Sequence, residues 1–150
     1  MKELKVSAIN KGTVIDHIPA GRGLKVLEIL NLSGDNTILI AMNVRSGKLG
    51  RKDIIKVEGK ILNEEEVNKI ALIAPSATVN IIENWEVMEK RKVEIPDEII
   101  GIIECANPNC ITHYEEVTPK FKVLSKKPLK LKCHYCERTM EEDIVLKHLL

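Results

Sequence analysis

The stretch Glu-Cys-Ala-Asn-Pro-Asn-Cys at residues 104–110, together with Lys-Cys-His-Tyr-Cys-Glu at residues 132–137, decides how the last third of this chain folds. These segments hold all four cysteines, arranged as a C-x4-C pair and a C-x2-C pair that are separated by 22 residues. Two close pairs at such a distance suit a tetrahedral metal ion, because each short loop presents two thiolates to it. The sequence therefore predicts a metal centre with the ligands Cys105, Cys110, Cys133 and Cys136.

Zinc is the metal that this spacing favours, one ion per chain, and a rubredoxin-like iron site is the alternative. Disulfides or free thiols are the other interpretation of the cysteines, and a cytosolic chain without a signal-peptide core disfavours disulfides. Four thiolates fill a tetrahedral shell and leave no position for water, so we expect a structural site. His113 and His134 lie beside the cysteines, and we expect them to be surface residues rather than ligands.

A unit built around this centre is small. We predict that it covers residues 99–150, about 50 residues, which bury too little surface to be more than marginally stable alone. Structural zinc supplies an apparent 10–16 kcal/mol in small peptides. The metal is therefore expected to hold a small β-rich domain of rubredoxin or zinc-ribbon type together.

The preceding residues, 1–95, alternate strand-like and helix-like patterns. We predict strands at residues 5–9 with 13–18, then 37–44, 53–58, 78–84 and 85–90, and helices at residues 21–32 and from Asn63 to Pro75. Asn63 followed three residues later by Glu66 has the form of a capping box. The order β-α-β-β-α-β with one extra strand predicts a ferredoxin-like α+β domain.

Two further segments of this region bear on its organisation. The charged stretch at residues 88–98 contains Pro96 and is predicted to be the linker between the domains. Residues 37–44 are apolar on both faces, so we expect a partner to cover that strand, and a second copy of the chain is the simplest one.

Composition argues against several classes of function. The chain has 23 Lys and Arg against 22 Asp and Glu, whereas nucleic-acid binders usually carry a basic excess. No apolar run approaches the roughly 20 residues that span a bilayer. We therefore expect no nucleic-acid partner, no membrane segment and a cytoplasmic location.

Asp16 and His17 stand side by side at the end of an apolar run, just before Pro19. Neighbouring residues on a regular strand point to opposite faces, so these two are not expected to form a hydrogen-bonded catalytic dyad. The cysteines are assigned to the metal, and no serine lies in a nucleophile-elbow motif. The sequence therefore favours a chain without catalytic residues, although a ligand at the strand end could touch both side chains.

Several motifs occur in a specific order: Gly-Thr-Val-Ile-Asp-His-Ile-Pro-Ala at 12–20, Ser-Gly-Lys-Leu-Gly-Arg-Lys-Asp-Ile-Ile-Lys at 46–56, Ala-Pro-Ser-Ala-Thr-Val-Asn-Ile-Ile-Glu-Asn at 74–84, and then the four-cysteine unit. In these motifs the chain closely resembles the aspartate carbamoyltransferase regulatory chains, over essentially its whole length.

That resemblance implies a non-catalytic subunit of pyrimidine biosynthesis. Its first domain would bind nucleotides and pair with a second regulatory chain, and its zinc domain would dock on the catalytic chain. CTP, helped by UTP, would inhibit the enzyme and ATP would activate it. Two catalytic trimers and three regulatory dimers would form the assembly.

The resemblance also implies roles for individual residues. Asp16 would hold the ribose hydroxyls, Lys56 would contact ribose and base, and Lys52 would serve a second nucleotide. The remaining assignments are His17, Asn80 and Lys90 for the phosphates; Ile9, Val14, Ile82 and the backbone near Trp85 and Val87 for the base; and Asn107 and Asn109 for the catalytic chain. Trp85 stands where the family often has Tyr, which could alter base selectivity.

The alternative is a zinc-ribbon adaptor in transcription or translation, which the four-cysteine unit alone would support. Balanced charge and few aromatic residues argue against it, since the chain has one Trp, two Tyr and one Phe. A nucleotide-sensing domain with a different enzyme partner is a third interpretation.

Overall fold

Residues 9–30, 32, 34–47 and 50–150 are described by the computed structural model, and they form two units. The first unit ends at Glu94 and the second begins at Ile95. The strand predicted at residues 5–9 lies, apart from Ile9, outside the described residues, as do residues 48 and 49.

The first unit is an antiparallel five-stranded sheet with two helices. Its elements are β1 (Gly12–Pro19), α1 (Gly23–Ile29), β2 (Ile38–Ser46), β3 (Gly50–Glu58), α2 (Glu64–Ile73), β4 (Thr78–Glu83) and β5 (Glu86–Lys92). The strands lie in the order β2-β3-β1-β4-β5, which is the ferredoxin-like order with β5 added at one edge. The predicted α+β class is confirmed.

The core of this unit lies on one face of the sheet. Side chains from three strands are buried there, including Ile15, Ile55 and Val79, and they meet Val26 of α1 and Ile70 of α2. The opposite face carries half-buried polar residues of β1 and β3. We call it the open face, and it comprises Val14, Asp16, Lys52, Lys56, Thr78, Asn80, Ile82, Val87 and Lys90.

Helix α2 begins as the sequence predicts. The side chain of Asn63 accepts a hydrogen bond from the Glu66 N–H at 2.8 Å, and Glu66 Oε1 accepts one from the Asn63 N–H at 3.1 Å. Both donors would otherwise lack a partner within the helix, so this reciprocal pair fixes where the helix starts. The helix ends at Ile73, two residues before Pro75.

Several boundaries differ from the sequence prediction, which placed strands at 37–44 and 53–58 where β2 and β3 span Ile38–Ser46 and Gly50–Glu58. Helix α1 spans Gly23–Ile29 rather than residues 21–32, because the N–H groups of Gly21 and Gly23 bond to the side chain of Asp53 and Leu30 is extended. Strand β5 continues to Lys92, so it includes part of the charged stretch predicted to be the linker, since pairing of Thr78 with Lys92 extends the hairpin.

The second unit is an antiparallel four-stranded sheet with a short helix. Its strands, in the order β6-β7-β8-β9, are Glu98–Ile100, Lys120–Lys126, Leu129–Cys133 and Thr139–Glu141, and α3 follows at Glu142–Lys147. Phe121, Leu131 and Val145 form its small core with Ile99 and Ile103. Across the described residues, no helix has the length and apolar character to cross a membrane.

The capping box gives a testable prediction. Asn63→Ala removes the side-chain acceptor for the Glu66 N–H, and loss of such a cap costs about 1 kcal/mol. We expect the free energy of unfolding of the first unit, from urea denaturation, to fall by that amount. Asn68→Ala inside the same helix is the matched control and should not destabilise, because Ala is the better helix former. Equal losses in both variants would contradict the capping role.

Candidate functional site

One row of side chains crosses the open face from strand to strand. Lys56 of β3 pairs with Val14 of β1, Val14 pairs with Asn80 of β4, and Asn80 pairs with Lys90 of β5. Residues that oppose each other across antiparallel strands lie on the same face with their Cβ atoms about 5 Å apart. The register therefore gathers two lysines and a carboxamide that the sequence separates widely.

The strand holding Asp16 and His17 is bulged at these residues. Ile15 pairs with Ile55 and Ile18 with Asp53, so two residues of β1 oppose only Ile54 of β3. His17 has a φ of 59°, which is unusual for a residue other than glycine. The regular strand assumed from the sequence is thus wrong here. The bulge changes the directions in which the Asp16 and His17 side chains point.

Asp16 is held by a lysine and by the backbone. Lys52 Nζ lies 3.0 Å from Asp16 Oδ1, and the backbone N–H of His17 donates to the same oxygen at 2.6 Å. Burial alone would raise the pKa of Asp16, but the hydrogen bond and charge of Lys52 and the His17 N–H together lower it below its ordinary value of 3.8. The carboxylate is therefore ionised at neutral pH and serves as an acceptor.

His17 is fixed by residues that sequence reasoning does not single out. Its Nδ1 lies 3.0 Å from Thr78 Oγ1, and its carbonyl oxygen accepts from Ser76 Oγ at 2.8 Å. The backbone N–H of His17 is a donor to Asp16 Oδ1. Both Ser76 and Thr78 belong to the Ala-Pro-Ser-Ala-Thr motif, but no local pattern in the sequence places their hydroxyl groups next to His17.

Asn80 carries an unused acceptor at the centre of the row. The residue is 8% exposed, and its Nδ2 reaches Val14 O only at 3.5 Å. Within the described part of the chain, Oδ1 is buried without a hydrogen-bond partner. An unsatisfied buried polar atom costs about 1–3 kcal/mol. This position is thus suited to a ligand that brings a donor.

Apolar residues border the polar row on one side. Ile82 pairs with both Gly12 and Val87, which places Ile82 and Val87 one step along from Asn80 and Lys90 on the open face. Trp85 stands in the turn between β4 and β5, 64% exposed, and its N–H donates to Asn10 O at 3.0 Å. Ile9, immediately before Asn10, is buried.

The four cysteines of the second unit form one cluster. Their sulfur atoms all lie within 4.8 Å of one another, and two pairs, Cys105 with Cys136 and Cys110 with Cys133, are 3.7 Å apart. A tetrahedral ion with metal–sulfur distances of about 2.3 Å places its sulfurs about 3.8 Å apart. The spacing of these thiols therefore fits a four-thiolate metal site.

Hydrogen bonds converge on these sulfur atoms. The Asn107 N–H bonds to Cys105 and the Asn107 side chain bonds to Cys136, so one residue contacts both halves of the cluster. Burial raises the pKa of Cys105, whereas at Cys136 burial is outweighed by the hydrogen bonds from Asn107 and the Arg138 N–H, which lower its pKa to about 7. Donors of this kind stabilise thiolates and orient ligands.

The residues near the cluster have other partners. His113 Nε2 lies 2.9 Å from Cys105 O, and His134 is exposed with its ring against Tyr135. Asn109 is exposed, and its N–H donates to Asn107 Oδ1 at 3.0 Å.

Two family models match the chain. One is described as aspartate carbamoyltransferase regulatory chain, allosteric domain, and matches residues 4–94. The other, the metal binding domain of the same regulatory chain, matches residues 97–146. This chain belongs to the aspartate carbamoyltransferase regulatory chain family.

Relatives in this family match over nearly the whole length. The regulatory chain of Thermococcus sibiricus is 84% identical over 150 residues, covering 100% of both chains. That of Pyrococcus furiosus is 70% identical, covering 99% of this chain and 100% of its own. That of Methanocaldococcus jannaschii is 54% identical, covering 96% of this chain and 97% of its own.

Membership defines the general role of the chain. It is a non-catalytic regulatory chain with an allosteric domain and a metal-binding domain, and its partner is a catalytic chain of aspartate carbamoyltransferase. The resemblance inferred from the motifs is confirmed, and the zinc-ribbon adaptor is superseded.

The lowered pKa of Asp16 predicts a pH-dependent contribution to stability. A carboxyl group with a depressed folded pKa stabilises above its unfolded pKa and loses that contribution as pH falls through the folded value. Asp16→Asn keeps the shape but removes the charge beside Lys52. We expect the variant to be less stable than the wild type at pH 7, with the difference disappearing below pH 3.8 as the wild-type residue is protonated.

Methyl NMR signals of Ile15 and Ile55, both fully buried in the first unit, would report this difference during urea titrations at several pH values. A gap between the two chains that persisted unchanged into acid would show that the charge of Asp16 is not its origin.

Metal removal gives a second prediction. Chelation should unfold the second unit and leave the first folded, because the four thiols occupy much of the small unit's interior. NMR signals of Leu131 and Val145 should collapse while those of Ile15 and Ile55 persist, and returning the metal should restore them.

Matched variants sharpen the test. Cys133→Ser should behave like the wild-type chain from which the metal has been removed. His134→Ala, which changes an exposed residue outside the cluster, should behave like the metal-loaded wild type. Unchanged second-unit signals after complete metal removal would refute a structural role.

Proposed function

We propose that this regulatory chain binds nucleotides on the open face of its first unit, and that CTP and UTP inhibit and ATP activates the catalytic chain. The observation that carries the proposal is the row Lys56–Val14–Asn80–Lys90 beside the Asp16–Lys52 ion pair. Cations for phosphates, an ionised acceptor for ribose hydroxyls and an unused amide acceptor lie together on one surface.

Individual roles follow the chemistry of each group. Asp16, as an ionised acceptor, would hold the ribose hydroxyls. Lys90 and His17 would line the phosphates, and Lys56 would contact ribose and base. Asn80 can donate to a phosphate through Nδ2, which is weakly engaged at 3.5 Å, while its Oδ1 accepts from a hydroxyl or amino group.

The base would lie against the apolar border of the row. Ile82, Val87 and Val14 offer aliphatic surface, and Ile9 closes the same end of the sheet. Backbone groups near Trp85 and Val87, at the edge of the hairpin, would bond to the base. The exposed Trp85 ring adds an aromatic surface where the family often has Tyr.

Lys52 would serve a second nucleotide beside the first. Its ion pair with Asp16 supports this assignment, because a phosphate could take up Lys52 while a ribose takes up Asp16, each replacing one half of the same contact. Two nucleotides bound in this way would lie next to each other at the bulge.

We also propose that the chain forms a homodimer through its first unit. Strand β2 is an edge strand of the sheet, and Ile40 and Met42 on it are exposed. An exposed apolar edge is a template for pairing with another chain. A second copy of this chain would cover it.

In the second unit we propose one structural zinc ion held by the four cysteines. Residues 99–150 would contact the catalytic chain, with Asn107 and Asn109 in the contact, while residues 1–95 bind nucleotides.

A nucleotide shifts the assembly only by its differential affinity for two quaternary states, typically 1–3 kcal/mol. The cytoplasmic location predicted from the sequence fits a regulator of nucleotide synthesis.

Calorimetric titration of the full, metal-loaded chain tests the nucleotide site. Lys56→Ala should weaken binding of CTP and ATP alike, roughly tenfold or more, because a hydrogen bond that involves a charged group contributes about 1.5–3 kcal/mol. Lys25→Ala is the matched control, since it removes the same charge from α1 on the helical side of the sheet. Unchanged binding of both nucleotides in Lys56→Ala would refute the site.

A further inference from the structure

Asp53 is a buried carboxyl group that joins two distant segments of the first unit. It is 0% exposed. Its Oδ2 accepts hydrogen bonds from the Gly21 N–H at 3.1 Å and the Gly23 N–H at 2.8 Å, and its Oδ1 accepts from the Asn43 N–H at 2.7 Å. One side chain of β3 therefore holds both the turn after β1 and the middle of β2.

The two strands that flank β3 are irregular at the same level of the sheet. On β1, Asp16 and His17 bulge opposite Ile54. On β2, Ala41 pairs with Ile54 and Val44 with Lys52, so Met42 and Asn43 bulge opposite Asp53. Asn43 has a φ of 60° and His17 a φ of 59°, so both bulges use the left-handed region. Strand β3 is flanked by matching bulges, and Asp53 lies between them.

Gly23 shows that the turn is shaped around this carboxyl group. A Cβ atom at residue 23 would lie 2.8 Å from Asp53 Oδ2 and 2.9 Å from Asp53 Cβ, which is closer than real contacts allow. A glycine lets the first N–H of α1 approach the carboxyl oxygen directly. The contact is thus a tight fit and leaves little freedom for either segment to move alone.

Asp53 also follows directly after Lys52, the partner of Asp16. A nucleotide that takes up Asp16 or Lys52 would replace their 3.0 Å ion pair, which joins β1 to β3 at Lys52. The next residue, Asp53, accepts the hydrogen bond from the Asn43 N–H. Asn43 lies on the edge strand next to the exposed Met42.

We propose that Asp53 is a positioning residue that couples the open-face site to the edge strand β2. It transmits a ligand-induced shift at Lys52 and Asp16 to the Asn43 bulge through its shared carboxyl group. This coupling rests on the proposed nucleotide site but not on the identity of the nucleotide. A purely structural Asp53 would stabilise the fold equally with and without ligand. A coupling Asp53 would instead change how the Asn43 amide responds to the ligand, and this contrast makes the proposal testable.

The test is amide hydrogen exchange, followed by NMR, on the full metal-loaded chain with and without saturating CTP. We expect CTP to slow exchange at Asn43 together with Gly21 and Gly23, by at least about fivefold, the lower end of allosteric coupling. The amide of Ile38, at the far end of β2, is the internal control and should change less.

Asp53→Asn should separate the two ends of the path. An amide has one acceptor oxygen in place of two, so it cannot satisfy all three N–H donors as the carboxyl group does. In this variant CTP should still slow exchange at Asp16 and His17, while Asn43 no longer responds. Should this variant fail to fold, Gly23→Ala is the replacement, because it displaces the same carboxyl group. The comparison of wild-type exchange with and without CTP tests the coupling without any variant.

The outcomes are distinct. If CTP affects the amides of Asp16 and His17 in the wild type but not that of Asn43, or if Asn43 still responds in Asp53→Asn, the coupling is wrong and the nucleotide site remains. If CTP affects none of these amides at saturating concentration, the proposed nucleotide site fails and the coupling fails with it. Asn43→Gly, which keeps the N–H donor and relieves the left-handed backbone, should retain the response.

Discussion

The helices of the first unit cover one face of its sheet, and this constraint shapes everything else in that unit. A β-α-β-β-α-β chain returns each helix to the same side, so the core forms there from residues such as Ile15, Ile55 and Ile70. The opposite face must then be polar, be covered by a partner, or bind a ligand. Here it carries lysines, an ionised aspartate and a buried carboxamide whose Oδ1 has no hydrogen-bond partner among the residues that the structure describes.

The second unit meets a different constraint, which is its size. Its apolar core is limited to a few side chains around Phe121 and Leu131, and buried thiols fill space that a larger domain would give to hydrocarbon. Asn107 bonds to sulfur atoms of both cysteine pairs, so the loop between Cys105 and Cys110 is tied to the knuckle at Cys133 and Cys136. Metal binding and the shape of this loop are therefore linked through one residue, Asn107.

The sequence predicts features that depend on neighbours along the chain and misses those that depend on distant ones. The capping box at Asn63 and Glu66 is local, and it was predicted with its helix. The spacing of the four cysteines likewise required only counting. The start of α1, by contrast, depends on Asp53, which is 30 residues away from Gly23. The bulge at Asp16 and His17 depends on the register of β3, which no pattern in residues 13–18 reveals.

The open-face site shows the same division. The family motifs suggest which residues belong to it, but only the strand register shows that they form one row. The unpartnered Oδ1 of Asn80 depends on burial in the folded sheet, and the sequence pattern around Asn80 indicates only a strand. The ion pair between Asp16 and Lys52 is the contact on this surface that a ligand would have to replace. A partly exposed ion pair is worth little by itself, so a ligand can replace it at small cost. Under the proposed function, the free energy that a nucleotide gains beyond replacing that pair is what would be available to move β3 and the bulged strands on either side of it.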